Sequence, residues 1–190
     1  MNHEIKCAEE ILVFENKWLT VYFDRVSAAN PKIQRYTRIV ESSGKTGVAI
    51  VPIWKDRLGL VRVFRYPIHA EVWEIPRGFG ESNDVLADAK RELEEETGLV
   101  GLEFRDLGSI HPNSGVLSSS VQLFAAICHV DPRNTKPKDS EVSEFKWFQV
   151  GEVYEMIRRG QLSDGFALAA IFRSLQEQLL PFGGHSAASI

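Results

Sequence analysis

Apolar residues Leu86, Ala89 and Leu93 recur at i, i+3 and i+7 between Val85 and Leu99, and the positions around them are mostly charged, which predicts an amphipathic helix. Asn83 or Asp84 stands where a side chain can cap its start, Gly98 stands where a left-handed residue can end it, and no Gly or Pro interrupts the interval. Upstream, Lys17 to Val26 alternates enough to be a strand, with Tyr36 to Glu41 as its hairpin partner across the Asn30-Pro31 turn. Gly47 to Trp54 and Gly59 to Arg65 are nearly continuous in Val, Ile and Leu and are separated by Lys55-Asp56-Arg57, the pattern of two central strands. Glu71 to Ile75 predicts a short strand that runs straight into the turn beginning at Pro76. The acidic helix therefore hangs from the end of a sheet.

Downstream, Leu102 to Leu107 is a candidate strand, and Ser119 to Val130 a stronger one with Val121, Leu123, Ala125 and Ile127 on one face. Asp131 to Ser140 is polar and carries two prolines, as a loop does, and Glu144 to Val150 returns as a strand. Gly151 to Arg159 and Asp164 to Leu180 read as helices, and the tail from Pro181 is expected to fray. The order predicts an α/β protein, a mixed sheet with helices on its faces and a small antiparallel sheet at the N-terminus. No repeat or linker divides the chain. We take 1–45 as N-terminal strands belonging to the same unit, 46–180 as the main domain and 181–190 as a flexible tail.

With 190 residues, 44% hydrophobic and 25% charged, the chain has the composition of one globular domain with a substantial core. Its net charge of −4 argues against a general nucleic-acid binder, which needs a surplus of Lys and Arg. No stretch approaches the roughly 18 consecutive apolar residues of a membrane span, and the N-terminus, with Glu4, Glu9 and Glu10, lacks the order of a secretory signal. A cytoplasmic protein is expected. Cys7 and Cys128 are isolated and read as free thiols.

Candidate chemistry is concentrated on the acidic helix. Glu92, Glu95 and Glu96, at i, i+3 and i+4, share a face, and like charges at these spacings cost an isolated helix a few tenths of a kcal/mol per pair. A divalent cation offsets that repulsion; Mg²⁺ is usually held by one or two carboxylates and keeps water and substrate phosphates as its other ligands. The alternative is a solvated acidic face balanced by Lys90 and Arg91.

Arg91-Glu92-Leu93-Glu94-Glu95-Glu96-Thr97-Gly98-Leu99 resembles the second half of the Nudix box, the signature of a superfamily that hydrolyses nucleoside diphosphates linked to another moiety. The first half departs from the pattern, since Asn83 occupies the position of the outer Glu and Gly78 lies one residue too close. Either the turn is one residue short and Glu81 is displaced from the helix start, or that Glu is absent. Phe64-Arg65-Tyr66-Pro67 and Val72-Trp73-Glu74-Ile75-Pro76 resemble the stretch before the box in ADP-ribose pyrophosphatases, and the segment from Ile157 to Ala170 resembles that subgroup's C-terminal helix pair.

The resemblance implies a Nudix α/β/α sandwich and Mg²⁺- or Mn²⁺-dependent hydrolysis of a nucleoside diphosphate sugar, ADP-ribose first, to a nucleoside monophosphate and a sugar phosphate. It assigns metal binding to Glu92, Glu95 and Glu96 with the main-chain carbonyl of Arg77 or Gly78. Arg91 would orient a glutamate. The subgroup's loop base corresponds to Glu141, or second to Glu144, and Arg65 and Arg77, with Glu74 beside them, would serve the diphosphate. Trp18, on an N-terminal strand of the kind that covers the base in relatives, often from the other subunit of a homodimer, is the candidate adenine platform. His111 to Gly115 resembles the loop that shapes the ribose end. Ser118, Ser119 and Ser120 stand where many relatives are acidic, so GDP-sugars and other nucleoside diphosphate sugars stay open. A nucleotide-binding sensor of the same fold is the alternative function.

Overall fold

The computed structural model describes residues 5–100, 102–129 and 136–181. Eleven strands and three α-helices are formed among them. In the N-terminal sheet the long β3 (Leu19–Ser27) pairs along one edge with β4 (Arg35–Glu41), and along the other first with β2 (Leu12–Glu15) and then with β1 (Lys6–Glu9), all antiparallel. The sequence predicts β3 and β4 but neither β1 nor β2. Those two are four-residue segments exposed at every position, so no alternation of buried and exposed residues marks them.

The main sheet is mixed. β5 (Gly47–Trp54) and β6 (Arg57–Arg65) form a tight hairpin in which Lys55 adopts positive φ, and they pair only next to the turn. They then diverge: β7 (Ala70–Glu74) takes the place beside β6, the short β8 (Arg77–Gly78) joins β5, β10 (Val121–Ile127) runs parallel to β5, and β9 (Glu103–Ile110) and β11 (Val142–Gln149) complete the sheet.

Residues of β5 alternate between two cores. Ala49, Val51 and Ile53 face α2 (Val150–Arg158) and α3 (Gly165–Gln176), where they meet Val153, Ala167, Ala170 and Ile171. Val48 and Ile50 face α1 (Val85–Thr97) and pack on Ala89 and Leu93. This is the expected α/β/α layering, and it puts α1 alone on one face. Leu93 is 1% exposed, and truncation of such a leucine to Ala costs about 2–5 kcal/mol. Leu86, predicted to face inward, is instead 38% exposed; Val85 takes its place against the core.

Residues 1–4, 101, 130–135 and 182–190 lie outside the described residues, and with them the first half of the 131–140 loop and all but Pro181 of the tail that the sequence expects to fray. Among the described residues no helix is long and apolar enough to cross a membrane, and Cys7, exposed, and Cys128, buried, form no disulfide.

Candidate active site

The turn before α1 is pinned to the central strand. Ile50 N donates to Pro76 O at 2.8 Å, and Arg77 and Gly78 pair with Ala49 and Val48 at the start of β5. Gly78 is required by close approach, since a Cβ there would lie 2.0 Å from Glu92 Oε1. Asp88, 3% exposed, accepts from Glu81 N at 3.1 Å and Ser82 N at 3.0 Å and so ties the turn to the helix. Asp84 is the N-cap, accepting from Leu86 N and Ala87 N, and Gly98 closes the helix at φ 75°.

Two carboxylates of α1 are turned inward. Glu92 is 9% exposed and lies 2.8 Å from Arg91 Nη2; burial nevertheless holds its pKa above the usual range. Glu96 is 7% exposed and accepts from Arg77 N at 3.3 Å. Burial, reinforced by the negative charges of Glu92 and Asp139, pushes its pKa up to about 8. Glu95 is more exposed: its carboxylate, about half exposed, pairs with Arg91 Nη1 at 2.9 Å, and its negative charge also raises the pKa of Glu92. Glu81 stands 3.8 Å from Arg91 Nε and its charge adds to those acting on Glu92, whereas Asn83 is exposed. Glu81 lies in the turn ahead of the N-cap Asp84, at the edge of the acidic group.

A second charged group adjoins the first through Arg77. Glu74, 3% exposed at the end of β7, receives Arg65 as a fork, Nε to Oε1 at 3.0 Å and Nη2 to Oε2 at 2.6 Å, and Arg77 Nε at 3.0 Å. Burial pushes the pKa of Glu74 up, but the two guanidinium groups outweigh it and the net shift is downward. Arg77 also lies over the ring of Phe166 at 4.8 Å, next to Asp164, which caps α3 through Ala167 N at 2.8 Å and whose pKa burial raises. The sequence places Arg65, Glu74 and Arg77 near one another but gives no sign of Asp164 or Phe166 beside them.

The loop after residue 135 docks on the end of α1. Lys138 N and Asp139 N both donate to Glu95 O, at 2.7 and 2.9 Å, and Asp139 Oδ1 accepts from Glu141 N at 2.8 Å. This brings Asp139, which the loop-base resemblance does not single out, within electrostatic reach of Glu96. Glu141 instead lines a cleft of about 510 Å³ with Ser140, opposite Phe64, Arg65, Tyr66 and Pro67. Glu144 lies in β11 opposite Arg62, exposed. On the other side of the turn, Trp18 stacks with Phe79, ring centroids 6.4 Å apart and planes 25° from parallel, both about half exposed. The loop following His111 joins the N-terminal sheet, with Ile39 N donating to Val116 O at 2.8 Å.

The NUDIX domain family model matches residues 45–166, most of the chain and all of the charged site just described. The chain belongs to the Nudix family. It is 27% identical over 142 residues to an ADP-ribose pyrophosphatase of Bacillus subtilis, a match covering 74% of each chain. It is 29% identical to an ADP-sugar pyrophosphatase of Mus musculus, covering 68% of this chain and 64% of that one. A CMP-5'-(N-acetyl-N-hydroxy-3-aminopropyl)phosphonate hydrolase of Streptomyces rubellomurinus is 26% identical, covering 66% of this chain and 62% of its own length. This chain thus spans less than two thirds of the length of two of these three relatives. A solved structure of an ADP compounds hydrolase superposes with a TM-score of 0.70 at 19% identity over 93% of this chain and 94% of that one, which bears on the fold.

Among the described residues, no three His, Cys, Asp or Glu side chains are gathered as a ready metal cage, and of the predicted trio Glu95 shares Arg91 with Glu92. The donors nonetheless fit a hard cation. Glu92 and Glu96 are two buried carboxylates against a backbone turn, Glu96 accepts from no guanidinium or ammonium among the described residues, and Gly78 leaves the space beside Glu92 free of a Cβ. Oxygen donors of this kind, two carboxylates with a main-chain carbonyl, suit Mg²⁺ or Mn²⁺.

Proposed function

We propose that this chain hydrolyses the diphosphate bond of a nucleoside diphosphate sugar, with ADP-ribose the first substrate to test, giving AMP and ribose 5-phosphate. One observation carries the reading: a buried acidic pair, Glu92 and Glu96, adjoins a pair of arginines fixed by Glu74, with Arg77 shared between them. A diphosphate needs both, cationic donors for its oxygens and a place where a divalent cation can stand beside it. The names of the Bacillus and mouse relatives support the same substrate class.

In this reading Glu92 and Glu96, with the Gly78 carbonyl, would hold Mg²⁺ or Mn²⁺, which would supply neutralisation of phosphate charge and a lowered pKa of water. Arg91, paired with both Glu92 and Glu95, orients Glu92. Arg65 and Arg77 have Nη donors beyond those given to Glu74 and direct them at the diphosphate oxygens. Asp139, close to Glu96, takes the proton from the attacking water in preference to Glu141, which faces the cleft. The water oxygen bonds to one phosphorus as that atom's bond to the bridging oxygen breaks, and both products leave as phosphomonoesters. Trp18 with Phe79 offers aromatic faces to the base. Two copies joined through the N-terminal strands are part of the proposal, since Leu12, Val13, Phe14 and Phe23 are exposed there.

The test is a panel of ADP-ribose, ADP-glucose, GDP-mannose, NADH and dNTPs with Mg²⁺, Mn²⁺ or EDTA. Metal-dependent release of AMP from the ADP-sugars, with dNTPs left intact, is expected. Tight binding without turnover of any member would replace the enzyme by a sensor.

A further inference from the structure

Arg65 and Arg77 meet on one carboxylate but are held in different ways. Arg65 grips Glu74 as a fork, through Nε to Oε1 at 3.0 Å and Nη2 to Oε2 at 2.6 Å. Two parallel hydrogen bonds fix the plane of a guanidinium group. Arg77 gives Glu74 only its Nε, at 3.0 Å, and to the same Oε2 that Arg65 already uses. A single bond leaves the plane free to turn about it. Among the described residues neither Nη of Arg77 donates a hydrogen bond, so the outer edge of this guanidinium has nothing in the fold's polar contacts to aim it.

The missing constraint is supplied by an aromatic ring. Arg77 Cζ lies 4.8 Å from the ring centroid of Phe166, and an aromatic face attracts a cation held over it. The Arg77 side chain is only 27% exposed, so the contact is partly desolvated and stronger than one at an open surface. Phe166 is itself braced: it is the second residue of α3, half-buried, and packs against the core that contains Ala167, Ala170 and Ile171. Asp164 closes the turn that presents the ring by accepting from Ala167 N at 2.8 Å. At the other end of Arg77 the backbone is pinned, paired with Ala49 in β5 and donating its N–H to Glu96 Oε2 at 3.3 Å. The residue therefore spans from the central sheet to α3, and the Phe166 ring fixes the end that the hydrogen bonds leave loose.

We propose that Phe166 is a positioning residue, whose ring holds the plane of the Arg77 guanidinium so that its Nη edge faces the substrate's diphosphate. The assignment rests on the diphosphate reading above and adds to it a residue of α3, on the face of the sheet opposite α1. A guanidinium that is already aimed loses little freedom when an anion arrives, and the binding is tighter for it. Phe166 touches no substrate. It acts through Arg77 alone, so its effect has to vanish when Arg77 is removed.

Calorimetric titration of methylene-bridged ADP-ribose into the full chain in EDTA tests this, because the ligand presents two linked phosphorus groups and is not cleaved. Phe166→Leu is expected to weaken binding about tenfold, and Phe166→Tyr, which keeps the ring, to bind as the wild type does. In an Arg77→Ala background the same Phe166→Leu change should move Kd by less than about twofold, the mark of two residues that act as one. Equal weakening by Phe166→Leu with and without Arg77 would overturn the role, since the ring would then support only the fold. So would an unaltered Kd in Phe166→Leu, a weakened one in Phe166→Tyr, or no binding by the wild type. The coupling is separable from turnover, measured on ADP-ribose with Mg²⁺. Coupling without hydrolysis would keep the positioning role and remove the enzyme; hydrolysis without coupling would keep the enzyme and remove the role.

Discussion

Two buried carboxylate sites meet at Arg77 in this protein and are built on opposite terms. Glu74 is enclosed by two guanidinium groups and its pKa is lowered in spite of its burial. Glu92 and Glu96 are similarly buried, face each other's charge with one arginine between them on Glu92 alone, and have raised pKa values. Burying a charge is expensive unless it is paired. The first site is complete as the chain folds it; the second has no such partner on Glu96, and the proposal above completes it with a cation.

The largest effect expected from breaking this contrast is on turnover. Glu96→Gln removes one of the two carboxylates proposed to bind the cation while keeping its volume. Since a bound cation supplies several kcal/mol of transition-state stabilisation, and about 1.4 kcal/mol is tenfold in rate, kcat for ADP-ribose should fall at least about a hundredfold with an unchanged circular dichroism spectrum.

Breaking the completed site should cost fold stability. Glu74→Ala leaves Arg65 and Arg77 partly buried without their carboxylate, a loss of about 3 kcal/mol, which in a domain of this size is a fall in Tm of roughly 6–12 °C. Calorimetry on the variant checks it, and a loss of activity with no change in Tm would show the cluster to be no part of the fold's support.

Cation binding should sharpen the difference. Mn²⁺ at a hundredfold excess over its Kd stabilises the native state by about 2.7 kcal/mol. That gain should appear in the wild type, disappear in Glu92→Gln/Glu96→Gln and persist in Glu74→Gln, as followed by thermal melts.

The smallest effect is on pH dependence, where the two sites have opposite signs. Glu96 has a folded pKa of about 8 against an ordinary value near 4.5, so its contribution is intact below the unfolded pKa and is lost as pH rises through about 8. Glu74, with a lowered folded pKa, contributes above its unfolded pKa and loses that contribution as pH falls through the folded one. In metal-free protein, Glu96→Gln should flatten the decline in Tm between pH 5 and 8 by about 2–8 °C, the size of one or two kcal/mol in such a domain. Glu74→Gln should change only the acid side.

What the sequence made legible follows from how local each signal is. The helix from Val85 to Thr97 carries its own cap, stop and apolar stripe, and Glu92 and Glu96 are placed by helical spacing alone. Spacing does not say how deeply each carboxylate is buried or that Arg91 pairs with both Glu92 and Glu95. The central strands are legible because β5 is apolar on both faces. The outer strands β1 and β2 are not, being short and exposed throughout. Asp139 and Asp164 reach the site by long-range packing: one through a loop hydrogen-bonded to Glu95 O, the other as the cap of a helix ninety positions from Glu74 in the chain. No periodicity records such contacts.

The most direct test of the central claim, that the incomplete carboxylate pair on α1 is the cation site, is calorimetric titration of Mn²⁺ into the nucleotide-free wild type and into Glu96→Gln. Saturable binding to the wild type that Glu96→Gln abolishes is the predicted result. Equal binding to both proteins would contradict the account and place the cation somewhere other than the Glu92–Glu96 face.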